Sequence, residues 1–146
     1  MHSVLMVVLS LVAGFGARER APAPGFKVIV NADNPVGMLS PDAVAKLFLR
    51  KQVVWEWNAA KPVLPAELAE GSPVREAFLR EILRKDAASL KSYWQQMIFE
   101  GKAVPPPAFD SDQGVIDYVR KYPSAIGYVS ASAALPADLK PVTITN

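Results

Sequence analysis

The chain has 146 residues, no cysteine, one histidine, and 16 Lys+Arg against 14 Asp+Glu, a net charge of +2. That length suits one domain, and 51% hydrophobic with 21% charged residues describes a packed globule, not a disordered or fibrous chain. So small a net charge makes no electrostatic case for nucleic acid or a membrane surface as the main partner, and the missing thiols exclude disulfides, thiolate nucleophiles and Cys-ligated metals.

The chain opens on a stretch, residues 1–17, without a single Asp, Glu, Lys or Arg. Val4 to Gly16 is an apolar run ending in small residues. It is shorter than the roughly 20 residues a membrane-spanning helix needs, and it fits the apolar region of a cleaved secretory signal. Only the α-amino group and His2 stand where a signal usually carries basic residues. A charged, Pro-rich tether (residues 18–25) follows, and the domain is expected over residues 26–146. Loss of the signal would take His2, and with it imidazole triads, His zinc sites and His general bases. The expected mature protein is exported to the periplasm, has no membrane insertion, and is suited to binding rather than catalysis.

Phe26–Val30 is a β-branched run that reads as a buried strand. Asn31 to Leu39, with its Asn, Asp, Pro and Gly, is a loop. Ser40-Pro41-Asp42 opens a helix with a capping hydroxyl, a proline where no N–H is needed, and an acid at the positive dipole end. Val53-Val-Trp-Glu-Trp57 reads as extended, which would put both indoles on one side. They could form a sugar-stacking or partner-binding surface, though core packing is the simpler reading. Pro62-Val-Leu-Pro65 is a short strand whose prolines suggest an edge or a strand end. Ser72-Pro73 starts a second helix, with Val74, Phe78 and Ile82 on one face. Asp86 caps a third, whose Leu90, Tyr93, Trp94, Met97 and Ile98 follow helical spacing and whose natural stop is Gly101. Pro105 to Pro107 forces an extended connector. A fourth helix runs from near Ser111 to before Pro123, and strands at 125–129 and 141–145 close the chain. Strands alternating with helices, without an internal repeat, predict a three-layer α-β-α sandwich with a mostly parallel sheet.

Chemistry has few places to sit. Glu70-Gly71-Ser72-Pro73-Val74-Arg75 runs into a helix N-terminus, where free N–H groups and the dipole favour an anion. Ser72 can donate a hydroxyl and Arg75 a charged fork. The plainer alternative is that Ser72 caps its own helix and Arg75 pairs with Glu70 or Glu76. Ser40 is an equal candidate by chemistry. Asn31, with Asp33 and Asn34, follows the first strand, where α/β sheets often hold ligands, although turn chemistry alone would explain the cluster. No metal site, cofactor loop or catalytic motif stands out.

Taken in order, Phe26–Val36, Leu39–Phe48 with Lys51 and Trp57-Asn58, Gly71-Ser72 with Arg75 and Phe78, and Ala125-Ile-Gly-Tyr-Val129 form a set. It resembles the periplasmic substrate-binding proteins of phosphate ABC transporters, over nearly all of residues 26–130. The resemblance implies a single lobe of a type 2 periplasmic-binding-protein-like fold, since that family builds two lobes around a phosphate. It implies phosphate or a related oxyanion as ligand, held by Gly71, Ser72 and Arg75; Asn31 and Ser40 remain candidates by chemistry and position alone. It also implies a transporter permease, a sensor or another envelope protein as partner, and no enzymatic activity. Phosphate-binding members carry Gly-Ser-Gly-Thr where this chain has Gly71-Ser72-Pro73-Val74. Pro73 removes a backbone donor and Val74 a hydroxyl, and Leu68 stands where some members have Arg. A ligand-free lobe that binds another envelope protein is the alternative.

Overall fold

The computed structural model describes residues 25–146; the expected signal, His2 and the tether up to residue 24 lie outside the described residues. Phe26–Asn31 forms β1, whose Val28, Ile29 and Val30 are fully buried. Beyond it come β2 (Met38–Leu39), α1 (Pro41–Phe48), β3 (Val54–Trp55), β4 (Asn58–Pro62) and β5 (Leu64–Leu68). Then follow α2 (Pro73–Phe78), which widens into a π-helical turn over Leu79–Leu83, and α3 (Ala87–Phe99). The chain ends with β6 (Ala108–Phe109), α4 (Asp112–Lys121), β7 (Ala125–Ser130) and β8 (Leu139–Ile144).

Local chemistry starts each helix as expected. Ser40, Ser72, Asp86 and Ser111 each accept a hydrogen bond from the amide three residues on, at 3.1, 3.3, 2.7 and 3.2 Å, which satisfies one orphan donor per helix. Gly101 sits at φ +67° just past α3, a left-handed stop that glycine adopts without strain.

Six strands form one sheet in the order β2-β8-β1-β7-β5-β6. Three of its five pairings are parallel, so the sheet is mostly parallel, but β1 runs antiparallel to both neighbours, β7 and β8. Side chains alternate across a strand, and β7 shows what covers each face. A Cβ on Gly127 would meet Val115 and Val119 of α4, whereas Tyr128 turns the other way, onto Phe78 of α2 and Phe48 of α1. Helices therefore cover both faces, giving the three layers expected.

Two local expectations change. The run from Val53 to Trp57 is not one extended segment: β3 and β4 form a separate hairpin that turns at Glu56–Trp57, so Trp55 is buried while Trp57 is 40% exposed. The strand expected at Pro62–Pro65 divides at Val63, and β5 lies inside the sheet, between β7 and β6. Pro65 is tolerated there for a geometric reason. Glu67 and Ala69 donate to Pro107 and Phe109 on the β6 side. Alternation points position 65 the same way, beyond the start of the two-residue β6, where no ladder hydrogen bond is needed.

Candidate functional site

The turn from β5 into α2 brings the expected anion-binding residues together with two that were not foreseen. Gly71 is exposed at φ +88°, in the left-handed region that suits glycine. Ser72 Oγ accepts the Arg75 amide, and the Ser72 carbonyl accepts the Glu76 amide at 3.1 Å. Pro73 has no N–H, so of the first-turn amides that of Val74 alone finds no partner among the described residues. Ser72 also keeps its hydroxyl proton free to donate, because its oxygen serves the cap as acceptor.

Arg75 turns inward. Its Nη1 lies 2.9 Å from Glu67 Oε1 and donates to the Leu68 carbonyl at 3.0 Å. Both side chains are buried, and Glu67, not Glu70 or Glu76, is the partner. Across the strand, the Leu68 amide donates to the Tyr128 hydroxyl at 3.2 Å. The Tyr128 ring stacks on Phe78 with centroids 3.9 Å apart. Burial pushes the Glu67 carboxyl above its ordinary value, with the Arg75 charge pulling the other way. For Arg75, burial works against the charged form, but the Glu67 charge and hydrogen bond outweigh it, and the guanidinium stays protonated. Burial, helped by the Glu67 charge, also raises the Tyr128 phenol, which stays neutral. The guanidinium charge is thus largely answered from within the fold, and an anion at Gly71–Ser72 would meet a partly neutralised cation.

The other candidates lie apart. Ser40 is at the same end of the sheet as Ser72, because Leu39 pairs with Ile144 and β8 runs antiparallel to β1. Four strand spacings separate β2 from β5, about 19 Å at roughly 4.8 Å each. Asn31 is at the opposite end: Val30 pairs with Ile126, which pairs with Pro65 at the start of β5. Having β1 antiparallel to its neighbours sends its carboxyl end away from that of β5. Asn31 Oδ1 there accepts the Asp33 amide, and Asn34 Oδ1 that of Val36, both at 3.0 Å. Among the described residues, no cluster of three or more His, Cys, Asp or Glu side chains is placed to hold a metal, and no helix is long and apolar enough to cross a membrane.

A mostly parallel sheet with helices on both faces, and a Gly-Ser turn from a strand end into a helix, puts that turn where open α/β sheets hold ligands. Comparison with solved structures gives the fold its particular form. The chain superimposes with a TM-score of 0.64 on a phosphate ABC transporter substrate-binding protein from Clostridium perfringens that has phosphate bound. The two are 24% identical, with 83% of this chain and 45% of that one covered. An ABC-type phosphate transport receptor from Vibrio cholerae gives 0.63 at 16% identity, covering 82% and 45%. PstS from Borrelia burgdorferi gives 0.64 at 13% identity, covering 84% and 48%. The fold is therefore theirs, and this chain spans a little under half the length of each. No protein-family model and no curated protein sequence matches the chain.

Two features of this region escaped the sequence. Glu67 sits in Leu64-Pro-Ala-Glu-Leu68, and its isolation among apolar residues was the available sign that it is buried. Tyr128 lies in the last run of the family resemblance, but nothing local indicates that its hydroxyl reaches β5.

Proposed function

We propose that this chain is an exported substrate-binding-protein-like lobe that takes phosphate or a related oxyanion at the start of α2, for ABC-type uptake or sensing. The observation that carries this reading is the uncommitted pair of donors there, the Val74 amide and the Ser72 hydroxyl, in a fold shared with a phosphate-bound neighbour. Residues 1–17 act as the export signal in this reading, and the lobe works in the periplasm beside a permease or sensor. Each missing charge-assisted hydrogen bond removes about 1.5–3 kcal/mol. With Pro73 donating nothing and Arg75 engaged by Glu67, binding is expected to be weak. Isothermal titration of the purified protein with phosphate and with sulfate tests this. Saturable heat that disappears in Ser72→Ala is the expected result; no heat and no thermal shift at millimolar anion would end the reading.

The Arg75–Glu67 pair favours a second reading, in which the lobe has lost its ligand and binds another envelope protein. Ile98 and Phe99 at the end of α3 offer apolar surface for it, Phe99 being 91% exposed. A pull-down from periplasmic extract that recovers nothing specific, with a monodisperse monomer in solution, would count against this reading.

A further inference from the structure

At the end of the sheet away from Ser72, three loops enclose a separate cavity. The loop after β1, the β3–β4 hairpin and the turn into β7 line about 320 Å³ with Asp33, Asn34, Trp57, Lys61, Pro123 and Ser124. That volume is at the low end of the range of about 300–1,000 Å³ typical of small-molecule sites, enough for one small polar ring.

The walls are braced from behind. The Asp33 amide donates to Asn31 Oδ1 and the Asn34 amide to the Asn31 carbonyl. Trp55 Nε1 donates to the Ser124 carbonyl at 2.8 Å, tying the hairpin to the turn before β7. The Trp57 ring lies nearly parallel to that of Trp55, 29° apart with centroids at 6.4 Å, and keeps 40% of its surface open. Preorganised walls of this kind reduce the entropy lost when a ligand is ordered.

Asn34 is 1% exposed and its Oδ1 is taken by the Val36 amide, so it shapes the cavity wall and offers a ligand nothing. The cavity itself presents an acceptor in Asp33, a donor in Lys61 and an open indole face. A small inorganic anion would be repelled by Asp33 and would make no use of Trp57. A ring with an apolar C–H face and several hydroxyls uses all three groups.

We propose that this cavity is a saccharide site, in which a sugar ring lies against Trp57, donates hydroxyls to Asp33, and accepts from Lys61. The proposal is independent of anion binding at Ser72, which lies at the other end of the sheet. Tryptophan fluorescence and saturation-transfer NMR with glucose, galactose, N-acetylglucosamine and chitotriose test it. Saturable binding of at least one of these is expected, with affinity falling about tenfold or more in Trp57→Ala and in Asp33→Asn, and unchanged in Ser72→Ala. Trp57 and Asp33 are both exposed, so the variants should fold, which circular dichroism checks. Tighter binding of chitotriose than of N-acetylglucosamine would assign the site to the end of a glycan, and equal binding to a single free ring. No saturable response to any of the four, or an unchanged response in Trp57→Ala, would overturn the proposal. So would binding of serine, a zwitterion that Asp33 and Lys61 could pair, with none of any sugar.

Discussion

Arg75 and Glu67 form a buried ion pair at 2.9 Å, directly beneath the turn that resembles a phosphate loop. The pair joins the end of β5 to the first turns of α2, with the Leu68 carbonyl as a third partner. Removing one member leaves the other charge buried without compensation, which typically costs about 3–5 kcal/mol. Arg75→Met is therefore expected to destabilise the protein by about that amount at neutral pH, and Arg75→Met/Glu67→Gln by clearly less. Urea unfolding measures both.

The same pair carries a pH signature. Burial already raises the Glu67 pKa in the folded chain. A carboxyl raised in this way contributes stability that is full below its ordinary range and falls as pH rises through the folded value. Arg75→Met removes the influence that lowers this pKa, so the fall should extend to higher pH. The deficit of the variant relative to the natural chain should be smaller at pH 5 than at pH 8; an equal deficit at both would show that Glu67 does not titrate in this window.

Gly127 is held to glycine by α4. A Cβ there would stand 2.6 Å from Val115 Cγ1 and 3.3 Å from Val119 Cγ2, and both valines are fully buried. Overpacking of this kind costs about 1–3 kcal/mol. Gly127→Ala should lose stability in that range, and adding Val115→Ala should recover part of it, so that the two changes together cost less than their sum. Thermal and urea unfolding of the four proteins of the cycle check this.

These contrasts show where the sequence was informative. Helix starts at Ser40, Ser72, Asp86 and Ser111 could be read in advance because a cap is a matter of three residues. The direction of β1 could not, because it is set by pairing with Ala125–Ser130 and Leu139–Ile144, about a hundred residues away. That single long-range fact separates Asn31 from Ser72. Likewise, Trp55 and Trp57 take opposite fates through a turn at Glu56 that carries no Gly, Pro or Asn at its centre. The candidate residues around Gly71 were adjacent in sequence and stayed together; what their neighbour Glu67 does to Arg75 depended on the path of the turn between them.

The Asp86 cap gives α3 its own pH dependence. Its Oδ1 accepts the Ser89 amide at 2.7 Å, and hydrogen bonding to Ser89 holds the carboxyl below its ordinary value. A depressed carboxyl contributes stability that is present above its unfolded pKa and lost as pH falls through the folded one. Relative to its intrinsic exchange rate, the Ser89 amide should therefore lose more protection as pH falls than the Gly114 amide, which is capped by the non-titrating Ser111. Asp86→Ser should abolish that pH-dependent loss, as followed by hydrogen exchange.

Trp55 holds the β3–β4 hairpin to the body of the protein by one directional bond. Its indole is 2% exposed, and its Nε1 donates to the Ser124 carbonyl, 69 residues along the chain. Phenylalanine would keep part of the ring volume but leave the Ser124 carbonyl unanswered and open space where the larger ring stood. A hydrogen bond of this kind contributes about 0.5–1.5 kcal/mol, and with the lost packing added Trp55→Phe should lose at least that much in urea unfolding. Trp57 leans on the Trp55 ring, so the near-ultraviolet circular dichroism of the remaining tryptophans should weaken as well. A variant of unchanged stability and spectrum would mean that the hairpin is held by its other contacts, such as the Arg50 donation to the Val63 carbonyl at 3.3 Å.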